Sequence, residues 1–167
     1  MNTKRLTLLK LNQSHKDDIQ KLYQNNKVRK YLWWIKTTIE FDLIFKEFLN
    51  CDISEHYWSL QEIKSHQIIW LFSLTKYHSE DKFEISYQLD SNYWWKGYAF
   101  EVINKIIEFS FNECNLSIVY AETQEKNKPS VWLLQKVWMN LDWKLVRHWE
   151  SQLVFSLTKR DYFNSKL

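Results

Sequence analysis

The sequence predicts an α+β (mixed α/β) fold in which helices flank a central, mostly antiparallel sheet. Three observations lead to this prediction: segments of alternating polarity, segments with apolar residues at helical spacing, and a balanced composition. The 167 residues are 45% hydrophobic and 26% charged, which suffices for one sizeable core. We therefore expect a single domain over residues 1–167.

The first half of the chain is predicted to contain a strand, two helices and three further strands. Ser14 and Thr37 each begin a capping-box pattern, in which a hydroxyl residue is followed three positions later by an acidic one. Apolar residues at helical spacing follow each box. The predicted strands are residues 5–11, 56–63, 67–75 and 83–90, of which the last three look like an antiparallel meander.

The second half is predicted to contain two helices and two strands. Residues 97–114 give the clearest helical pattern of the chain, with Glu101 in the positively polarised first turn. Residues 117–124 read as a strand. Pro129 suits the first turn of a helix that runs to about Val137, and residues 152–158 form the last predicted strand.

Composition argues against several classes of function. No segment approaches the roughly 18 apolar residues of a membrane span, and the amino-terminal segment does not resemble a secretory signal, so we expect a cytoplasmic protein. The net charge of +3 is scattered along the chain, so neither nucleic acid nor a membrane is expected as a partner. Cys51 and Cys114 are expected to be reduced thiols, and the five histidines lack metal-ligand spacing, so no metal is expected.

Gly97 is the only glycine of the chain, and it stands between a predicted strand and the clearest helix. A turn that feeds directly into a helix leaves backbone N–H groups unpaired at the positive end of the helix dipole, which suits a phosphate. Glycine helps there because it lets an anion approach the backbone and allows positive φ. A plain turn is the competing interpretation, since one glycine before a helix is a weak pattern.

The order of several motifs resembles the GNAT superfamily of acyl-CoA-dependent N-acetyltransferases, and within it the RimJ/RimL-like branch that modifies ribosomal proteins. The resembling segments are "RLTLLKLNQSHKDDIQKLYQNNKVRKYL", "HYWSL", "FEISYQLDSNYWWKGYAFEVINKIIEFSFNECNL", "NKPSVWLLQKV" and "VFSLTKRDY". They cover nearly the whole chain. The resemblance implies a GNAT fold, in which two neighbouring strands splay apart, and acetyl-CoA as co-substrate.

The same resemblance implies a set of cofactor-binding residues. The family's loop pattern, Arg or Gln, two residues, Gly, one residue, Gly or Ala, falls on Asn92, Trp95 and Gly97, so that Trp95 stands in place of a glycine. Backbone amides of the loop would hold the pyrophosphate, and the end of the preceding strand would bond the pantetheine arm. The implied cofactor-binding residues are Tyr87, Gln88, Leu89, Asn92, Trp95, Lys96, Gly97, Tyr98, Ala99, Asn127 and Ser130.

Glu84 is the expected general base, at the position where some relatives carry a glutamate that deprotonates the amine, although a surface carboxylate is the ordinary alternative. The tyrosine acid of some relatives corresponds to Leu134, so the general acid stays unassigned. The resemblance implies N-acetylation of a protein N-terminal amine by a monomer or homodimer. A small-molecule amine, such as an aminoglycoside or polyamine, and a non-catalytic CoA-binding module are the alternatives.

Tryptophan is as overrepresented as glycine is depleted: the chain has 10 tryptophans and 1 glycine, where about 12 glycines are typical of this length. Trp58 and Trp94 fall where the family commonly has tryptophan. Five others fall where it has glycine: Trp33, Trp70, Trp95, Trp138 and Trp143. Ordinary mutational drift of the gene would replace glycine with alanine, serine or aspartate, and not repeatedly with the largest side chain. We therefore hypothesise that the gene uses the opal codon for glycine and that these codons have been read as tryptophan.

Overall fold

A computed structural model describes residues 1–78 and 81–165. Seven strands form one sheet in the order β1-β2-β3-β4-β5-β7-β6, and six helices lie between or after them. The strands are β1 Leu6–Lys10, β2 His56–Glu62, β3 Ile68–Lys76, β4 Phe83–Leu89, β5 Ile118–Gln124, β6 Asn140–Arg147 and β7 Glu150–Thr158. The helices are α1 Lys16–Tyr23, α2 Asn26–Arg29, α3 Thr38–Leu49, α4 Tyr98–Asn112, α5 Lys128–Lys136 and α6 Lys159–Asn164.

The pairing of the strands is mostly antiparallel, as predicted. β1 pairs antiparallel with β2, and β7 pairs antiparallel with both β5 and β6. Between β4 and β5 the described pairing is parallel and places Glu84 opposite Tyr120. A single paired position agrees with the expectation that these two strands separate.

The chain divides into two compact units. Met1–Ser73 with Tyr87–Glu101 makes the first, and Leu74–Ser86 with the described part of 102–167 makes the second. β3, β4 and α4 contribute residues to both units. The expectation of one domain over 1–167 stays a prediction.

Each unit has its own buried apolar cluster. In the first unit, side chains of α1, α2, α3 and β3 pack together with the residue that follows β1: Leu11, Ile19, Leu22, Tyr23, Val28, Phe41, Phe45 and Leu71. In the second, Tyr77, Tyr120 and Val154 pack with the partly buried Trp143. Burial of these side chains, at roughly 1.5–3 kcal/mol each, is the main favourable term in holding the helices and strands in place.

Two capping predictions have different outcomes. At α3, Thr37 accepts a hydrogen bond from the Glu40 N–H and the Glu40 side chain accepts from Thr37, which confirms the capping box. At the first helical segment the prediction was wrong, because Asn12, not Ser14, provides the cap of a short 3₁₀ turn before α1. The Asn12 side chain accepts the Ser14 N–H at 2.9 Å, and asparagine is as favourable a cap as serine.

Three regular elements were not predicted: α2, β6 and α6. β6 is an edge strand whose side chains are mostly exposed, and the alternation of Leu141, Trp143 and Leu145 with polar residues was overlooked. α2 and α6 have four and six residues, which is too short for a helical period to show. Among the helices of the described residues, none is long and apolar enough to span a membrane.

Candidate active site

The loop between β4 and α4 is the first part of the candidate site. Its beginning is fixed by Asp90, whose N–H donates to the Ile69 carbonyl at 3.0 Å and whose carboxylate accepts the Asn92 N–H at 2.8 Å. The indole N–H of Trp94 then donates to the Leu89 carbonyl at 2.8 Å. These bonds turn the chain away from the sheet and direct it into α4.

The backbone N–H groups of residues 95–99 have no acceptor within the described chain. They occupy the end of the loop and the first turn of the 15-residue helix α4, where the helix dipole is positive. Trp95 has φ 63° and Gly97 has φ 77°, while Lys96 between them does not have a positive φ. Left-handed residues that alternate with others turn successive N–H groups towards one side and form an anion-binding concavity.

Arg5, which precedes β1, bonds to this loop and to the first turn of α4. The sequence analysis did not identify this role of Arg5. Its guanidinium donates to the Lys96 carbonyl at 2.8 Å and to the Glu101 carboxylate at 2.9 Å, and it lies 4.2 Å from the centre of the Tyr98 ring. The pKa of Glu101 is lowered, because hydrogen bonds from Thr3 and Arg5 outweigh the opposing effect of its partial burial. Arg5 is more than 90 residues from these partners, so no local pattern could have identified it.

The end of β4 supplies the residues expected to bond the pantetheine arm. Tyr87 stacks on Phe72 with ring centres 5.8 Å apart, which fixes its side chain. The Gln88 side chain accepts a hydrogen bond from the buried Arg29 at 2.8 Å, and the Leu89 carbonyl accepts from the loop. The side chains of Tyr87 and Gln88 are therefore engaged within the first unit, which leaves a backbone role for this strand end.

Glu84 lies at the start of β4 in the second unit and is partly buried. Its carboxylate accepts the backbone N–H of Glu122 at 3.2 Å. Burial, followed by the nearby charge of Glu122, raises the pKa of Glu84 to about 7, although hydrogen bonds from the Glu122 N–H and Ser86 and the charge of Arg147 oppose the shift. A carboxyl with such a pKa can take up or release a proton near neutral pH.

Two further side chains bond to Glu122, and the sequence did not reveal their association. Arg147 donates to both Glu122 oxygens, at 3.0 and 3.2 Å, and the Tyr77 hydroxyl donates to Glu122 at 2.8 Å. Burial raises the pKa of Tyr77, so its hydroxyl stays protonated. Arg147 also contacts a ring nitrogen of His78 at 2.7 Å. The residues come from four segments of the chain, and sheet pairing brings them together.

Asn127 and Ser130 are at the start of α5 in the second unit. The Asn127 side chain accepts the Ser130 N–H at 3.4 Å as the helix N-cap, and Ser130 is buried. This observation supports the helix-start interpretation of Asn127, while the cofactor contact stays a prediction. Leu134 is fully buried and offers no proton. Among the described residues, no group of three or more His, Cys, Asp or Glu side chains is placed to hold a metal ion.

Comparison with known protein families gives one match that covers most of the chain. Residues 5–140 match the model described as an acetyltransferase (GNAT) domain. The uncharacterised N-acetyltransferase p20 of Bacillus licheniformis is 35% identical over 86 residues, which are 47% of this chain and 48% of that protein. The uncharacterised N-acetyltransferase YnaD of Bacillus subtilis is 39% identical over 64 residues, 38% of each chain. The matched segments thus span half or less of these relatives.

Solved structures match over nearly the whole length. An acetyltransferase of the GNAT family from Bacillus anthracis superposes with a TM-score of 0.85 at 18% identity, over 96% of this chain and 98% of that one. A spermidine N-acetyltransferase from Vibrio cholerae, in complex with CoA and spermine, gives 0.83 at 19% identity, over 96% and 99%. These likenesses confirm the predicted mixed α/β fold.

Proposed function

Since the chain belongs to the GNAT family of acetyltransferase domains, we propose that it transfers an acetyl group from acetyl-CoA to a primary amine. The observation that carries the proposal is the set of unpaired N–H groups of residues 95–99 at the start of α4. Their number and common position suit the two phosphates of the CoA pyrophosphate. Lys96 adds an exposed positive charge beside them.

Glu84 is the proposed general base. The amine nitrogen attacks the thioester carbonyl carbon, the C–S bond breaks, and the proton lost by the amine passes to the Glu84 carboxylate, directly or through water. A pKa of about 7 keeps half of the carboxylate ionised at neutral pH and makes it a stronger base than an exposed glutamate. No side chain is assigned as general acid, and the thiolate is proposed to take its proton from solvent.

The acceptor we propose first is a protein N-terminal amine, on the resemblance to the RimJ/RimL-like branch, in a cytoplasmic protein that is a monomer or homodimer. A polyamine is the second candidate, because the similar structure from Vibrio cholerae is a spermidine N-acetyltransferase. Both acceptors present a primary amine, so the chemistry at Glu84 is the same. The difference lies in what surrounds that amine.

The test is an amine panel assayed for release of CoA thiol, with N-terminal peptides, spermidine and an aminoglycoside as acceptors. We expect amine-dependent thiol release with one class and loss of that release in the Glu84→Gln variant. Binding of CoA without amine-dependent release from any acceptor would contradict the enzymatic function. That outcome would favour a CoA-binding module of the same fold.

A further inference from the structure

Five of the ten tryptophans have left-handed backbone conformations: Trp33, Trp34, Trp95, Trp138 and Trp149, with φ between 53° and 67°. The other non-glycine residues with positive φ in the described chain are three histidines and one asparagine, His66, His78, His148 and Asn115. Asparagine and histidine are the types that tolerate this conformation, whereas a bulky residue rarely adopts it. We infer that the gene encodes glycine at all five of these positions. Two of them, Trp34 and Trp149, were not identified from the sequence.

Trp138 occupies the glycine position of a helix C-terminus. α5 ends with Val137 as its C-cap, the Trp138 N–H donates to the Gln135 carbonyl and the Met139 N–H donates to the Leu134 carbonyl, both at 3.1 Å. This pair of bonds defines a Schellman motif, in which the residue after the C-cap is left-handed and is usually glycine. The tryptophan at this position is 61% exposed, so burial does not compensate for the backbone conformation.

Trp149 occupies the glycine position of a hairpin turn. Arg147 pairs with Glu150 at the end of β6 and β7, and the two residues between them have φ 47° and 66°. Positive φ at both central residues defines a type I′ turn, for which Asn-Gly is the most favoured sequence. Here the sequence is His148-Trp149, and the indole is 98% exposed.

Trp95 and the pair Trp33–Trp34 lie at the other left-handed positions. Trp95 is in the proposed phosphate-binding loop, where a glycine would allow an anion to approach the backbone. The Trp33–Trp34 bend is held by Arg29, whose guanidinium donates to the Leu32 and Trp34 carbonyls. A separate observation concerns Trp70, which is fully buried with an indole N–H that has no partner in the described chain. Its φ is not positive and its ring packs against Phe72 and Tyr87, so the structure does not support the hypothesis of glycine at Trp70.

Trp94 provides a matched comparison, because it precedes Trp95 directly. Its φ is −65°, and its indole N–H makes the hydrogen bond to Leu89. Trp58 is buried in β2, and Trp132 lies within α5 without positive φ. These three have ordinary backbone conformations, and so does Trp143, whose ring packs in the apolar cluster of the second unit. The structure therefore does not support the hypothesis of glycine at Trp143.

The first experiment is to read the codons in the gene and to determine the residues in protein purified from its own host by peptide mass spectrometry. We expect opal codons and glycine at the five left-handed positions, and the standard tryptophan codon with tryptophan at Trp58, Trp94 and Trp132. Standard tryptophan codons at Trp95, Trp138 and Trp149 would overturn the inference. This arm does not depend on the proposed function.

The second experiment compares variants of the chain as written. The variant with all five changes, Trp33→Gly, Trp34→Gly, Trp95→Gly, Trp138→Gly and Trp149→Gly, should raise the thermal unfolding midpoint by about 10 °C or more. Trp94→Gly should lower it, since that indole makes a defined hydrogen bond. An unchanged or lower midpoint in the five-site variant would contradict the inference.

The last arm rests on the proposed function. Trp95→Gly alone should tighten CoA binding about tenfold by calorimetry, whereas Trp94→Gly should not. If the five-site variant is stabilised but Trp95→Gly leaves CoA affinity unchanged, the glycine assignment stands and the phosphate-binding role of the loop fails. The two failures are therefore distinguishable.

Discussion

The loop before α4 and the carboxylate cluster around Glu84 are built in opposite ways. The loop offers backbone N–H groups, and its side chains serve mainly to fix the path of the chain. The cluster offers side chains, and its chemistry depends on the burial and charge of Glu84, Glu122 and Arg147. A backbone site therefore depends on which residues permit its φ angles. A side-chain site depends on the identity of each group.

Glu84→Gln should have the largest effect on activity, because it removes the proposed base and leaves the loop intact. We expect kcat to fall by about 100-fold or more, with the CoA dissociation constant unchanged. In the parent protein kcat/KM should fall as pH drops below about 7, where Glu84 becomes protonated, and the variant should lose this limb. The measurement is a pH–rate profile of thiol release.

Glu113→Gln, which removes an exposed carboxylate at the end of α4, is the matched control. It should leave the pH–rate profile unchanged. If the two variants behave alike, Glu84 is not the base, and the cluster serves the stability of the sheet instead.

Glu84→Gln should also increase the free energy of unfolding at alkaline pH. The pKa of Glu84 is about 7 in the folded protein against 4.5 in the unfolded chain, so the folded state binds more protons between these values and stability falls as pH rises through them. Above pH 7 the ionised carboxylate costs on the order of 3 kcal/mol, which Glu84→Gln removes. Denaturant unfolding at pH 8 should show this gain, and unfolding at pH 4 should show none. An equal gain at both pH values would mean that ionisation is not the cause.

Arg5→Ala tests the support of the backbone site. The loop would lose its bond at the Lys96 carbonyl and the link to Glu101, so we expect CoA affinity to fall about tenfold, with the pH dependence of turnover unchanged. Calorimetry and the pH–rate profile measure the two quantities. Lys4→Ala removes an adjacent exposed charge and should change neither. Equal losses in both variants would assign the effect to net charge.

Lys96→Glu should have the smallest effect. Lys96 is exposed, so its attraction for the phosphates is screened by salt, and we expect CoA to bind a few-fold more weakly at low salt and nearly normally at high salt. Lys46→Glu, at an exposed position of α3, makes the same change of charge on a different element. Titrations at two ionic strengths measure the difference, and equal affinities at low salt would remove Lys96 from the site.

The sequence predicted those parts of the molecule whose signal is local. The loop and α4 were found because strand, turn, glycine and helical spacing follow one another directly, and the cap of α3 lies within four residues. Glu84 was found through the family resemblance, but its raised pKa depends on Glu122, which is 38 positions away. Arg147 was missed with the edge strand β6 that carries it. Arg5 was missed because its contacts exist only in the folded chain.

The tryptophans likewise show that the sequence identifies only positions with a local signal. Family pattern identified Trp95 and Trp138, where motifs on both sides fix the alignment. Trp34 and Trp149 lie in turns whose sequences vary, so only the backbone angle singles them out. Conformation at a turn is a property of the folded chain, and a residue that conflicts with it is visible only once φ is known.

The turn at His148 and Trp149 has a consequence for the kinetics of folding. Hairpins form within microseconds and often belong to the folding nucleus, where a poor turn slows folding and leaves the unfolding rate almost unchanged. A slow β6–β7 hairpin leaves the apolar residues of β7, including Leu153, Val154 and Phe155, unpaired for longer while the chain is synthesised. Unpaired apolar strands aggregate. Tryptophan at position 149 should therefore be most apparent as insoluble protein during expression, and the fraction that does fold should have an ordinary native lifetime.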